Sequence, residues 1–484
     1  MSRGVAENLA STDVVPALDV ACAECEGPRV TRRRFGTAAR HAWMKALATS
    51  TAPILLVSAD LDQPWPDLTA DERYRDAWVV LKDAGVPGGI VEIDLGADPT
   101  SQRALLDEES ARIRSSRWSA GSAPDDVHLP SISVIVPTIG ERLDELERCL
   151  ESLDALDYPN FEIVLVDNRR GVPSPDPLAA LASRARLRVV RAVRPGISAA
   201  RNEGVAHANG EVVAFTDDDV CVDVNWLRAI GTRMVREPDV DAVSGLVLPA
   251  ELDHPAQVWY ERYVGGFGGP RSFAYRHLEA DGRGPRCLRA RRFFARDAAG
   301  QVREHPSIYG VGAYVAGANM AMRPSALERI GGFDEALGTG TRARGGEDLA
   351  AIISLLMDGG RMAYEPAAFV FHRHRRDYAG LLAQMDGSGV GFGAMLTSLI
   401  LRDPCHLVRL ASLIIRAGVR TLVRARTSVR GRRTGERAPA APTFPPQLFW
   451  HEIRGYLRGP FAYAASRRAL AMRRARPEAS PGAN

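Results

Sequence analysis

Lysine is almost missing from this 484-residue chain. Lys45 and Lys82 are the only two among 62 basic residues, so arginine carries nearly all of the positive charge. That bias reads as a GC-rich genome and says little about function. No run of 18 or more apolar residues occurs, which argues against a transmembrane helix. The N-terminus lacks a long apolar stretch, so no signal peptide is expected. Cysteine is scarce, at six. Cys22 and Cys25 form a lone C-x-x-C with no second pair at a suitable spacing, which argues against a zinc site. The other four are scattered, as in a reducing cytosol. A glycine-rich dinucleotide loop is also missing, because Pro195-Gly196-Ile197-Ser198 is not G-x-G-x-x-G.

What is present belongs to a globular protein of two or three domains: 45% hydrophobic and 25% charged residues. Net charge is only +3, but it is unevenly spread. From residue 401 onward there are 17 Arg against four acids, an excess of +13 that leaves about −10 on the rest. A basic tail on an acidic body suits an anionic partner, membrane lipid or nucleic acid. A solvated tail is the alternative.

The stretch Val212-Val213-Ala214-Phe215-Thr216-Asp217-Asp218-Asp219-Val220 organises the chain. Its apolar run reads as a buried strand, and three carboxylates follow where that strand leaves the sheet. Ligands of open α/β sheets bind at that end of the strands. One Asp suffices for a turn or a helix cap. Three adjacent acids repel each other, and a hard divalent cation neutralises them.

Around this stretch, residues 1–50 are irregular. A small accessory domain is expected over 51–119, with strands at 53–57, 77–81 and 89–93, the last two forming a hairpin, and a helix over 101–115. Residues 120–130 read as a linker. From 131 to 378 strands alternate with helices: strands at 132–138, 161–168, 187–190 and 212–215, helices at 141–153, 178–184 and 197–208. That order implies a mainly parallel sheet with right-handed crossovers. Residues 379–484 read as a helical, Arg-rich region. Within it 406–424 has the pattern of a basic amphipathic helix that could lie on an anionic membrane or pack on the main domain.

The order VIVPT, EIVLVDN, PGISAARNEG and AFTDDDV resembles the nucleotide-binding half of a family-two glycosyltransferase with the GT-A fold. Later segments agree: Val315–Ala321, the GGFDE turn at 331–335, Gly345-Gly346-Glu347-Asp348-Leu349, and Phe369-Val370-Phe371-His372. The resemblance covers residues 131–376. It implies an α/β fold of GT-A type with flanking helices, and transfer of a sugar from a nucleotide-sugar donor to an acceptor hydroxyl with inversion. The glycan, lipid-linked or small-molecule acceptor stays open, and cytoplasmic placement is implied, at the inner face of the cell membrane if the tail binds it.

The resemblance also assigns residues. Asp167 would meet the base, and Arg201 the phosphate or a base edge, for which guanidinium is suited. Pro137, Thr138 and Asp218 join this donor set. Asp217 and Asp219 resemble the family's DxD, with Asp219 ligating Mg2+ or Mn2+ directly and Asp217 acting through ribose or water. His372 matches the family's late histidine, and His374 is the weaker candidate. Gly317 and Asn319 would flank the acceptor. A positioned carboxylate is needed to take the acceptor proton. Asp348 matches the base and Glu347 the acceptor-positioning group, though an acid at a helix start also suits a cap. The QxxRW motif of processive members is missing, which points to addition of one or a few sugars. No nucleic-acid module is recognisable, so no nucleic-acid partner is expected. The rival expectation is a non-catalytic nucleotide-sugar-binding or scaffold protein of the same fold.

Overall fold

A computed structural model describes residues 53–116, 128–171, 176–266, 271–280, 293–305, 307–413 and 446–474. The expected irregular segment at 1–50, most of the linker at 120–130 and the second half of the 406–424 helix lie outside the described residues.

The chain first builds a three-stranded sheet from β1 (Ile54–Asp60), β2 (Asp76–Asp83) and β3 (Val86–Asp94), with β2 central. β2 and β3 form the expected hairpin, and β1 pairs parallel to β2. Side chains alternate across β2. Ala77, Val79 and Leu81 pack with Leu106 and Ile113 of helix α1 (Pro99–Ser116). Trp78 and Val80 point the other way, onto the main domain, where they meet Leu252, Val258, Leu246, Leu248 and Phe369.

The main sheet starts as expected. Parallel pairs join β4 (Ile132–Thr138) to β5 (Phe161–Asp167), β5 to β6 (Leu187–Arg191), and β4 to β7 (Val212–Phe215). Beyond β7 the sheet becomes mixed. β8 (Val220–Val222), β9 (Ala242–Pro249), β10 (Arg276–Ala280), β11 (Phe293–Arg296), β12 (Val302–His305), β13 (Met320–Met322) and β14 (Arg361–His372) complete eleven strands. The short β13 runs antiparallel to both β7 and β9, and β14 is parallel to β9. The mainly parallel expectation therefore describes the β6–β5–β4–β7 half. The two reversals across β13 leave β14 pointing the same way as β7, so both strands end on one edge.

Both faces of the sheet are covered. Val134, Val136, Ile163, Leu165, Val212 and Ala214 face α2 (Leu143–Asp154) and α4 (Trp226–Arg236). Ile135, Val164, Val166, Val213 and Phe215 face the side covered by α3 (Ile197–His207), α6 (Pro324–Ile330), α7 (Glu347–Met357) and α8 (Tyr378–Arg402), with α5 (Pro255–Val264) beside α8. The helix expected over 178–184 is a shorter 3-10 turn, Ala179–Ser183.

α8 is followed by helical residues 405–413 and by α9 (Pro446–Arg474). One side of the described start of the 406–424 helix lies against the domain, with Arg409 buried and Leu410 and Leu413 on the core, while Leu407 and Val408 are exposed. Cys149 and Cys221 are free thiols, whereas Cys405 is disulfide-bonded, a departure from the scattered-thiol expectation. Among the described residues no helix is long and apolar enough to cross a membrane.

Candidate active site

Parallel strands deliver their last residues to one place. Thr138 ends β4, Asp167 ends β5, Asp217–Asp219 follow β7, and His372 ends β14. β8 folds back against β14 with Val220 opposite His372, which brings the acidic triplet to the imidazole.

Asp217, Asp219 and His372 offer ligand atoms within 4.8 Å of one another. His372 Nε2 lies 3.4 Å from Asp219 Oδ1. Burial pushes the imidazole down to about 4, with the Asp219 charge opposing. The ring is therefore neutral near pH 7, the form that ligates metals. Burial also acts on Asp219, but His372 and Arg142 outweigh it and hold its carboxyl below the usual range. Two carboxylates and a neutral imidazole on one edge fit a divalent cation.

Asp218 turns away from this cluster. It accepts from Thr138 Oγ1 at 2.7 Å and from Arg142 at 3.1 Å. Burial pushes its carboxyl up to about 6, against the Thr138 hydrogen bond. Arg142 also donates to Asp219 at 2.7 Å and is 38% exposed. It bridges the two acids from the solvent side.

Arg201 is 1% exposed, so it is a buried link and not a free phosphate ligand. It donates to Glu347 at 2.8 Å and to Asp217 and the Gly317 carbonyl at 3.1 Å. The Gly317 N–H in turn donates to Asp348 Oδ2 at 2.8 Å. A Cβ at Gly317 would stand 2.8 Å from the Arg201 guanidinium, so only glycine lets the two approach. This chain of contacts joins the cation cluster to both candidate carboxylates at the start of α7. Burial and the Asp348 charge raise the Glu347 carboxyl well above the usual range, with Arg201 opposing.

The loop that carries Glu347 and Asp348 is fixed from behind. Arg344 has φ 64° and Gly346 has φ 84°. The left-handed conformation of a non-glycine residue costs ~1–2 kcal/mol, so something must hold Arg344 there. Asp386 of α8 accepts from Arg344 at 2.8 Å and also from Arg458 of α9 at 2.8 Å. Gly391 of α8 touches the loop directly: a Cβ there would stand 2.9 Å from the Gly345 backbone. On the other side of α8, Gly389 and Gly393 lie against Gly455 and Gly459 of α9. Asp334 of the GGFDE turn accepts from Ser398 at 2.6 Å and Tyr463 at 2.7 Å.

Thr138, Arg201, Asp217, Asp218, Asp219, Gly317, Glu347, Asp348 and His372 are thus brought together. Other expected site residues are placed differently. Asn319 is fully buried; its Oδ1 accepts from Trp226 Nε1, and its amide donates to the Leu246 and Ala368 carbonyls. With all three bonds made inside the core, it does not face an acceptor, which corrects the expectation from sequence. Pro137 is buried inside β4 opposite Val166. Asp167 sits beside Thr138 on the same edge, but Arg169 and Arg191 engage both of its oxygens. His374 pairs with Glu261 in the core. Arg142 and Asp386 escaped sequence reasoning. The signal for the second was the alternate-residue glycine run 387–393 in a helix, which marks close backbone approach.

The family model of glycosyl transferase family 2 matches residues 133–301, the segment that holds β4 to β7 and the acidic triplet. An N-acetylglucosaminyltransferase of Bradyrhizobium elkanii is 30% identical over 125 residues, which are 25% of this chain and 67% of that protein. The chain belongs to glycosyl transferase family 2. A pre-mycofactocin glycosyltransferase of Mycobacterium tuberculosis is 28% identical over 239 residues, 46% of this chain and 43% of that protein. The chain thus spans less than half the length of that relative. The solved structure of a mannosyltransferase from Pyrobaculum calidifontis, in complex with GDP-Man and Mn2+, is 21% identical, covers 77% of this chain and 83% of its own, and has a TM-score of 0.40.

Proposed function

We propose that this chain is a metal-dependent inverting glycosyltransferase that moves a sugar from a nucleotide-sugar donor to an acceptor hydroxyl in glycan or cell-envelope synthesis. The observation that carries the reading is the link from Asp217, Asp219 and His372, through Arg201 and Gly317, to Glu347 and Asp348. The first group suits a cation and the second suits proton transfer. A mixed nitrogen and oxygen donor set favours Mn2+ over Mg2+, which prefers oxygen alone. When bound, the cation supplies Lewis-acid neutralisation of the leaving diphosphate.

The chain's own residues do the rest. Asp348 is half-buried, with one oxygen fixed by the Gly317 N–H, and we assign it as the base that takes the acceptor proton. Glu347 is 6% exposed and engaged by Arg201, so it positions and does not transfer the proton. Thr138 and Arg142 hold Asp218, which keeps three adjacent acids apart. A lipid-linked or envelope acceptor, with the protein peripheral at the inner face of the cell membrane, belongs to the same reading because the C-terminal region is strongly basic.

The test is calorimetric titration with UDP, GDP and dTDP, each with and without Mn2+, on the wild type and on Asp219→Ala. Metal-dependent binding of one nucleotide, lost in the variant, is expected and names the donor class. A folded sample that binds none of the three would overturn the donor-site assignment.

A further inference from the structure

We infer that the outward face of α9 is a docking surface for an anionic phospholipid membrane, a surface distinct from the 406–424 helix that the sequence singled out. Trp450, Arg454, Leu457, Phe461, Arg468 and Met472 recur at steps of four, three, four, seven and four residues, so they share one stripe of the helix. All six are exposed, and Trp450, Leu457, Phe461 and Met472 stand 65%, 72%, 78% and 54% open. At 1.5 Å per residue the stripe is about 33 Å long.

The stripe faces outward because of what the other side of α9 does. Gly455 and Gly459 lie against the backbone of α8 at Gly389 and Gly393, and Tyr463 donates to Asp334. A helix seated by glycines brings its backbone close and fixes its rotation. The large side chains are then left on the solvent side, where an exposed apolar stripe marks an interaction surface.

Composition says what covers them. α9 holds six arginines and one carboxylate, Glu452, which is bonded to Tyr456. Two of the arginines, Arg454 and Arg468, stand within the stripe among Trp, Leu, Phe and Met, and no acid interrupts it. A partner must therefore offer negative charge and apolar contact over one extended plane. An anionic lipid surface does both, with headgroups for the arginines and acyl chains for the apolar groups. Nucleic acid offers phosphates but nothing for Leu457 and Met472. A second copy is disfavoured by symmetry. An antiparallel two-fold pairing centred on Phe461 would set Arg454 of one chain against Arg468 of the other. Since no described helix suits a membrane span, α9 would lie on the bilayer and not cross it.

The experiment is co-sedimentation of the full-length chain with phosphatidylcholine vesicles and with vesicles containing phosphatidylglycerol, at low and physiological salt. It is independent of donor chemistry, so its failure and that of the proposed transfer are separate. Binding to the anionic vesicles alone, weakened by salt, is the expected result. Bromine-labelled acyl chains should quench fluorescence on binding, and Trp450→Phe should lose part of that quenching. The double variants Leu457→Glu with Phe461→Glu, and Arg454→Glu with Arg468→Glu, should each weaken binding by about tenfold or more, since each arginine near the surface counts. Circular dichroism confirms that the variants fold, and Arg454→Lys with Arg468→Lys should retain binding. Three outcomes overturn the inference: a folded chain that ignores both vesicle types, binding that survives both double variants, or a dimer in solution that Phe461→Glu dissolves without any vesicle binding.

Discussion

Replacing Gly391 by alanine tests whether α8 sets the shape of the loop that carries Glu347 and Asp348. The added Cβ would stand 2.9 Å from the Gly345 carbonyl carbon and Cα, and 3.2 Å from its nitrogen. These are backbone atoms, and carbon atoms rest at about 3.5–4.0 Å. Loop and helix must therefore part by about 0.5 Å or more. Gly346, already at φ 84° and close to the Gly391 carbonyl, limits how the loop can yield. Overpacking of this kind costs ~1–3 kcal/mol. Positioning is the more sensitive readout, because a misplacement of about 1 Å can cost roughly 100-fold in rate. Gly387 supplies the control. Its Cβ would meet nothing closer than Arg344 at 3.9 Å, and a helical Gly→Ala change stabilises by ~0.5–1 kcal/mol. Gly391→Ala should melt several degrees lower and lose roughly tenfold or more in turnover, with nucleotide binding unchanged. Gly387→Ala should melt slightly higher and keep its turnover. The melts need differential scanning calorimetry, and turnover is read as nucleoside diphosphate release. A folded Gly391→Ala protein with wild-type melting and turnover would refute the reasoning.

Asn319→Ala leaves Trp226 Nε1 and two carbonyls without partners in the core, which should cost about 3–5 kcal/mol in denaturant unfolding while leaving the acceptor KM of the folded fraction unchanged. Arg142→Ala removes a guanidinium that competes for Asp218 and Asp219, so Mn2+ should bind several-fold more tightly in calorimetry without nucleotide; weaker binding would oppose this. Glu251 gives a pH signature. Burial raises its carboxyl, but Arg376, Gln257 and Arg373 outweigh that and bring it down to about 2. Its folded value lies below its unfolded value of about 4.3, so its stabilisation is present above pH 4.3 and is lost as pH falls toward 2. Melting temperature should drop across that window, and Glu251→Gln should flatten the drop.

Strand ends were legible because two signals coincide there. A buried apolar run followed by Asp217-Asp218-Asp219 states both a strand and the edge where it stops. The order of motifs then located Glu347, Asp348 and His372. Pairing was not legible. The sequence offers Arg201 as a guanidinium for phosphate or a base edge, and only the fold shows that Glu347, Asp217 and Gly317 enclose it. Asn319 looked like a polar group near an acceptor, but its three bonds run to β9, β14 and α4, which are remote in sequence. The mixed half of the sheet was hidden for a similar reason: β13 is three residues long, too short for any periodicity to announce it. The C-terminal helices misled in the opposite sense. Residues 406–424 have the basic amphipathic pattern, and their described start packs Arg409, Leu410 and Leu413 inward while Leu407 and Val408 stay exposed; α9 exposes its large side chains because glycines seat its other face.

The loop that presents Glu347 and Asp348 takes its shape from residues that come later in the chain. Asp386 and Gly391 hold it directly, and Arg458 and Tyr463 brace it through Asp386 and Asp334. A ribosome that has made everything up to His372 has therefore supplied all the candidate chemistry without fixing its arrangement. The site matures only when the last hundred residues have been made and have folded back. For the same reason the motif-bearing segment is not a transferable module. Cutting the chain at 378 would strip Met395, Leu399 and Tyr463 from the main core and leave Arg344 in its left-handed conformation with no carboxylate to hold it.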